Sequence, residues 1–235
     1  MHKFISSIVL FLFAVTFQQS EIYSKAELIG KAPMNHYENE YKVRKEVYDA
    51  FNLMQSEALK DGIDIEIVSS YRSFKHQKRI WTRKYSKYIS QGLLPLEAID
   101  KIIEYSTIPG TSRHHWGTDI DIIDGSKAKP KDALLTRHFK KEGIYHALKK
   151  WLDINAGDYG FCLVYTNDSE RRGFKYEPWH YSYTSTSSKM LNEFLKISLK
   201  EMLLEEEIVG SKNFTQEFLN QYLINNVLDI NPDLK

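Results

Sequence analysis

Apolar residues recur along this chain with two periods, and the switches between them mark out its elements. From Tyr41 onward, Val43, Val47, Phe51, Met54 and Ala58 fall three or four residues apart, one face of a helix ending near Asp61-Gly62. Ile63, Ile65 and Ile67 then alternate with acids up to Val68, the period of a strand, which delivers the chain to Ser69-Ser70-Tyr71-Arg72-Ser73. A second helix is predicted from Phe74 to about Ile89, carrying Gln77, Ile80, Trp81 and Tyr85, with Gly92 and Pro95 interrupting it. A shorter helix runs from Pro95 to Tyr105, with proline in the first turn, where a missing amide hydrogen costs little. After the Pro109-Gly110 turn, Ile120 and Ile122 alternate with Asp119 and Asp121, so a strand here turns both acids to one side and ends at Asp124-Gly125. Residues 126–140 read as a basic, proline-containing loop over a cleft. Ile144, Ala147, Leu148, Trp151 and Leu152 form the stripe of another helix, closed by Gly157 and Gly160. Phe161 to Thr166 and Phe174 to Tyr183 read as a hairpin whose turn is Asn167 to Gly173. Beyond Ser188, one amphipathic helix is predicted from Leu191 to about Glu207. A second, capped by Asn213, carries Phe214, Phe218, Leu219, Tyr222 and Val227.

The start of the chain differs. Met1-His2-Lys3 is basic, Phe4 to Val15 is apolar except for Ser6 and Ser7, and Gln18-Gln19-Ser20 is polar. A run of about twelve apolar residues falls short of the roughly 20 that a membrane-spanning helix needs. Residues 1–20 therefore read as a signal peptide, with an uncleaved anchor as the alternative, and residues 21–40 as an exposed lead-in. Either way the body of the protein is expected outside the cytoplasm, in the periplasm or cell envelope. The 235 residues suffice for one sizeable core, and a net charge of +1 with both signs mixed gives no basic stripe for nucleic acid. The single cysteine, Cys162, sits in an apolar strand pattern and reads as a buried thiol.

Two stretches carry the candidate chemistry: Ser112-Arg113-His114-His115-Trp116-Gly117-Thr118-Asp119-Ile120-Asp121 and Glu177-Pro178-Trp179-His180. Adjacent His114 and His115 supply at most one ligand to a single ion. Asp121 lies seven residues past His114, across a glycine turn, and His180 follows Glu177 by three. Two imidazoles, one carboxylate and a second carboxylate left over are the inventory of a catalytic zinc site, with an open position for water and a separate base. His2, His36, His76, His138 and His146 have no such company.

Ser112-x-His114-x-x-Gly117-x-x-x-Asp121 with Glu177-Pro178-Trp179-His180 resembles the zinc D-alanyl-D-alanine carboxypeptidases of bacterial cell walls, including the vancomycin-resistance type. That family shares its fold with hedgehog signalling domains. Tyr71-Arg72-Ser73 with Gln77, and Trp151-Leu152-x-x-Asn155-Ala156 followed by Tyr159-Gly160-Phe161, match further motifs in order, over about residues 40 to 184. The resemblance implies an α+β fold, a small antiparallel sheet flanked by helices, occupying residues 41–184, with residues 185–235 as a C-terminal helical extension. It implies one zinc ion on His114, Asp121 and His180, Glu177 as general base and acid, Arg72 as the cation of the transition state, and Ser112 and Gln77 seating the substrate. Two positions depart from the family pattern. Asp119 stands where Ala or Ser is usual, a second acid on the ligand face. Ser182 stands where many relatives have Arg, leaving a substrate-carboxylate contact absent or supplied by Arg171 or Arg172.

The expected activity is release of the terminal D-alanine from peptidoglycan stem peptides. An L,D-carboxypeptidase, a dipeptidase or an endopeptidase on the same substrates stands beside it. A non-catalytic zinc or wall-binding module is the reading from a different class.

Overall fold

The computed structural model describes residues 23–32 and 39–235. The expected signal segment, 1–20, lies outside them. In chain order the helices are α1 (Lys25–Leu28), α2 (Lys45–Lys60), α3 (Phe74–Ser90), α4 (Pro95–Ile102), α5 (His146–Asn155), α6 (Thr184–Phe194), α7 (Leu199–Leu204) and α8 (Gln216–Tyr222). The strands are β1 (Ile65–Ser69), β2 (Asp119–Asp124), β3 (Phe161–Leu163) and β4 (His180–Tyr183), paired antiparallel in the order β1-β2-β4-β3. The α+β expectation is met.

Strand periodicity sorts the two faces of the sheet. Ile120 and Ile122 of β2, Tyr181 of β4 and Phe161 of β3 turn into a core built with Val47, Phe51 and Met54 of α2 and Leu148, Trp151 and Leu152 of α5. The opposite face carries Asp119, Asp121, His180 and Ser182. The β2–β4 register sets Asp121 opposite His180 and Asp119 opposite Ser182, so four polar side chains share one buried face.

A second apolar cluster closes around that polar face. It joins Phe74 and Trp81 of α3, Ile99 and Ile102 of α4, Met190, Leu191 and Phe194 of α6, Met202 and Leu203 of α7, and Leu219 and Tyr222 of α8. Tyr222 reaches the loop before the first candidate stretch: its hydroxyl accepts from the Ile108 amide at 3.1 Å and shares a hydrogen bond with Thr111 Oγ1 at 2.8 Å.

Several expectations need correction. The lead-in is not wholly exposed, because Leu28 and Ile29 are buried in the second cluster and α1 is capped by the Ser24 side chain. The hairpin strands are short, β3 and β4 covering three and four residues. Pro178 has no amide to donate to a ladder, and Arg171 takes the carbonyls of Thr166 and Phe174. Helix α4 stops at Ile102. The helix predicted from Leu191 to Glu207 is two helices, because the Ser198 side chain caps α7. Thr215, not Asn213, caps α8, which runs on into a π-helical turn over Leu223–Val227.

Tyr222→Phe strands the buried Ile108 amide. An unsatisfied buried donor costs about 1–3 kcal/mol, so the expected result is a loss of that size in urea unfolding. An unchanged midpoint would show that α8 does not brace this loop.

Candidate metal centre and active site

Residues Arg113–Trp116 form one 3-10 turn, ended by Gly117 at φ +68°, a left-handed conformation that favours glycine. The turn sends the two adjacent histidines to different jobs. His114 faces the sheet, with Nε2 3.5 Å from Asp121 Oδ2, while its Nδ1–H donates to the Ser70 carbonyl at 2.8 Å. His115 is fully buried elsewhere: its Nδ1–H donates to the Arg72 carbonyl and its Nε2 accepts from the Gly110 amide at 3.2 Å. Burial drives its pKa down to about 3, so it is a neutral strut between two loops. Gly30, at φ +75°, lies so close to that ring that a Cβ would stand 2.4 Å from Nδ1.

His180 comes from β4, directly across from Asp121. Its ring lies 4.7 Å from that of His114, centroid to centroid. Nδ1 is 4.0 Å from Asp121 Oδ1 and 3.0 Å from Glu177 Oε2, and Nε2–H donates to Asp119 Oδ1 at 3.0 Å. One donor atom each from His114, Asp121 and His180 lie within 4.8 Å of one another. Asp121 Oδ1 is buried with no hydrogen-bond partner, a costly state that a cation relieves. Two imidazoles and a carboxylate with one oxygen to spare fit a divalent ion such as zinc.

The charges around this point are strongly coupled. Burial works against the ionised form of Asp121, but His114, His180 and Arg72 outweigh it and hold its pKa down to about 2. Burial likewise opposes a charged His180, yet Asp119 and Glu177 at its two nitrogens, with Asp121 nearby, push it up to about 10. Asp119 is held well below the usual carboxylate range: its own burial opposes this, and Arg113 and His180 override it.

The trio lies in a cleft of about 370 Å³, also lined by Arg72, Ser112, Glu177 and Trp179. The loop over 126–140 does border it, through Leu134, Leu135 and Thr136. Arg72 is aimed by Gln77, whose Oε1 accepts from Nη1 at 3.0 Å, and by Ser69, whose Oγ accepts from Nη2 at 3.3 Å. Gln77 itself is fully buried and absent from the cleft wall, its amide donating to the Thr107 carbonyl at 2.8 Å. Its link to the cleft is the hydrogen bond to Arg72.

Arg171 and Arg172 are not in the cleft either. Arg171 is spent on the carbonyls of Thr166, Phe174 and Asp229, and both residues line a neighbouring depression. The guanidinium beside Ser182 belongs instead to Arg113, whose Nη2 donates to Ser182 Oγ at 2.8 Å and which lines the cleft. Arg113 stands within the motif, yet the turn of its side chain toward Ser182 is not legible from spacing. The ring of Tyr165 meets that of His180 edge to face at 5.2 Å, a contact of which an apolar strand pattern carries no sign.

The model of the D-alanyl-D-alanine carboxypeptidase (VanY) family matches residues 40–186. The chain belongs to this family. It is 31% identical over 162 residues to YodJ of Bacillus subtilis, covering 68% of this chain and 52% of that protein. It is 29% identical over 149 residues to the D-alanyl-D-alanine carboxypeptidase of Enterococcus faecalis, covering 63% and 50%. The chain thus spans about half the length of these curated relatives. A solved structure of VanYB in complex with D-alanine-D-alanine is 24% identical with a TM-score of 0.50, over 70% of this chain and 84% of that one, and shares its fold.

Neutral burial of His115 has a pH consequence. Below about pH 6.5 the unfolded chain protonates this histidine and the folded one does not, so stability falls as pH drops. In the metal-free protein, His115→Gln is expected to flatten the stability curve between pH 6.5 and 4.5 by about 1.4 kcal/mol per pH unit. Parallel curves for the two proteins would contradict this.

Proposed function

We propose that the protein is an exported, zinc-dependent carboxypeptidase that removes the C-terminal D-alanine from peptidoglycan stem peptides. The observation that carries the reading is the meeting of His114, Asp121 and His180 on a cleft floor, with Glu177 3.0 Å from the last of them. Family membership and the activity named for the Enterococcus faecalis relative support the substrate class. The apolar run Phe4 to Val15 supports export, and no helix among the described residues is long and apolar enough to cross a membrane. In this reading residues 1–20 are the signal, 41–184 the catalytic unit and 185–235 a helical extension.

His114, Asp121 and His180 would hold the ion, which when bound supplies Lewis acidity and lowers the pKa of water to about 7. Glu177 takes up the water's proton at its carboxylate and hands it to the departing amine. Its amide, donating to the Tyr165 carbonyl at 3.3 Å, ties this base to the cleft wall. Arg72, oriented by Gln77 and Ser69, faces the negative charge that grows on the scissile carbonyl oxygen. Ser112 offers a hydroxyl to the substrate, and Tyr105, Leu134, Phe174 and Trp179 wall the cleft against bulk water.

The test is to incubate the zinc-loaded protein with a pentapeptide and a tetrapeptide stem and weigh the products. Loss of one D-alanine from the pentapeptide is expected. An intact pentapeptide, or full activity after exhaustive metal removal, overturns the proposal, and cleavage of the tetrapeptide alone replaces it with L,D-carboxypeptidase activity. Glu177→Gln is expected to retain zinc and to lose turnover by roughly 10²–10⁴-fold. Normal turnover in that variant would remove Glu177 from its role.

A further inference from the structure

Asp119 is the acid on the ligand face that the mechanism above does not use. It is fully buried, and each of its oxygens is doubly occupied. Oδ1 accepts from Arg113 Nε and His180 Nε2, both at 3.0 Å. Oδ2 accepts from Thr118 Oγ1 at 2.7 Å and Ser182 Oγ at 3.0 Å. Arg113 closes the group by donating to Ser182 Oγ, and its guanidinium lies 4.8 Å from the centre of the Trp116 ring. Four donors saturate a carboxylate, so Asp119 has nothing left for an ion. Asp121, with its unpartnered Oδ1, is in the opposite condition.

We infer that Asp119 is a positioning residue for the metal centre, acting through His180. By engaging Nε2–H it leaves Nδ1 as the ring nitrogen on the side of Asp121 Oδ1, 4.0 Å away, and Glu177 Oε2, 3.0 Å away, and fixes the plane in which that nitrogen is presented. A carboxylate behind a ligand histidine also makes the imidazole a stronger donor, and losing such a partner weakens metal affinity by about 10–100-fold. Arg113, Thr118 and Ser182 in turn hold the carboxylate. The inference rests on the zinc reading proposed above.

Zinc affinity of the full chain, measured by competition with a chromophoric chelator, tests it. Asp119→Asn is expected to bind zinc about 10–100-fold more weakly than the unaltered protein. That variant also leaves the buried Arg113 without its anion, so the decisive protein is the double variant Asp119→Asn with Arg113→Met, its fold checked by circular dichroism in the metal-free form. If Asp119 serves only to neutralise Arg113, the double variant recovers the original affinity, which overturns the inference. If Asp119 positions His180, the double variant stays at least about tenfold weak.

Should the variants not fold, nitrogen NMR of the unaltered, zinc-loaded protein decides. Zinc on Nδ1 of His180 with a proton on Nε2 upholds the inference, and zinc on Nε2 overturns it. Failure of the unaltered protein to bind zinc at all would instead overturn the proposed function.

Discussion

The register between β2 and β4 is the constraint on which the centre depends. It pairs Asp121 with His180 and Asp119 with Ser182 on the face away from α2 and α5. Side chains in a strand alternate strictly, so a slip of one residue would swap this set for Ile120 and Tyr181 and bury the acids in an apolar core. The same apolar residues therefore fix both the core and the site. Ile120, Ile122 and Tyr181 hold the register from below, and the ligands inherit it above.

Placing three carboxylates in so small a buried volume is expensive, and the protein meets the cost with cations and donors rather than with solvent. Asp119 takes Arg113, His180 and two hydroxyls. Glu177 leans on the other nitrogen of His180. Asp121 is the one of the three with a buried oxygen that has no hydrogen-bond partner. That asymmetry distinguishes a carboxylate built to support the site from one built to accept a metal, although the two are only two residues apart on the same strand.

The helices and the strand cores were largely legible, because α2, α3 and α5 bury simple stripes and β2 alternates cleanly. The C-terminal helices were harder to bound, since hydroxyl caps at Ser198 and Thr215 override an apolar pattern that would run through them. Among site residues, His114, Asp121, Glu177 and His180 could be named from the joint motif, and the structure brings them together. Gln77 belongs to the motif, but its burial behind Arg72 is not legible in the sequence, because spacing does not show that a polar side chain is sealed behind its neighbour. The role of Asp119 could not be read at all. Its meaning depends on Arg113 and Ser182, one brought by a 3-10 turn and the other by a strand more than sixty residues away.

The central claim, that His114, Asp121 and His180 converge on one divalent ion, is tested most directly by anomalous diffraction at the zinc edge from crystals of the zinc-loaded protein. The account predicts a single strong peak about 2.0–2.2 Å from His114 Nε2, His180 Nδ1 and an oxygen of Asp121. A peak bound by Asp119 or lying elsewhere on the chain, or no peak at this face of the sheet, would contradict it.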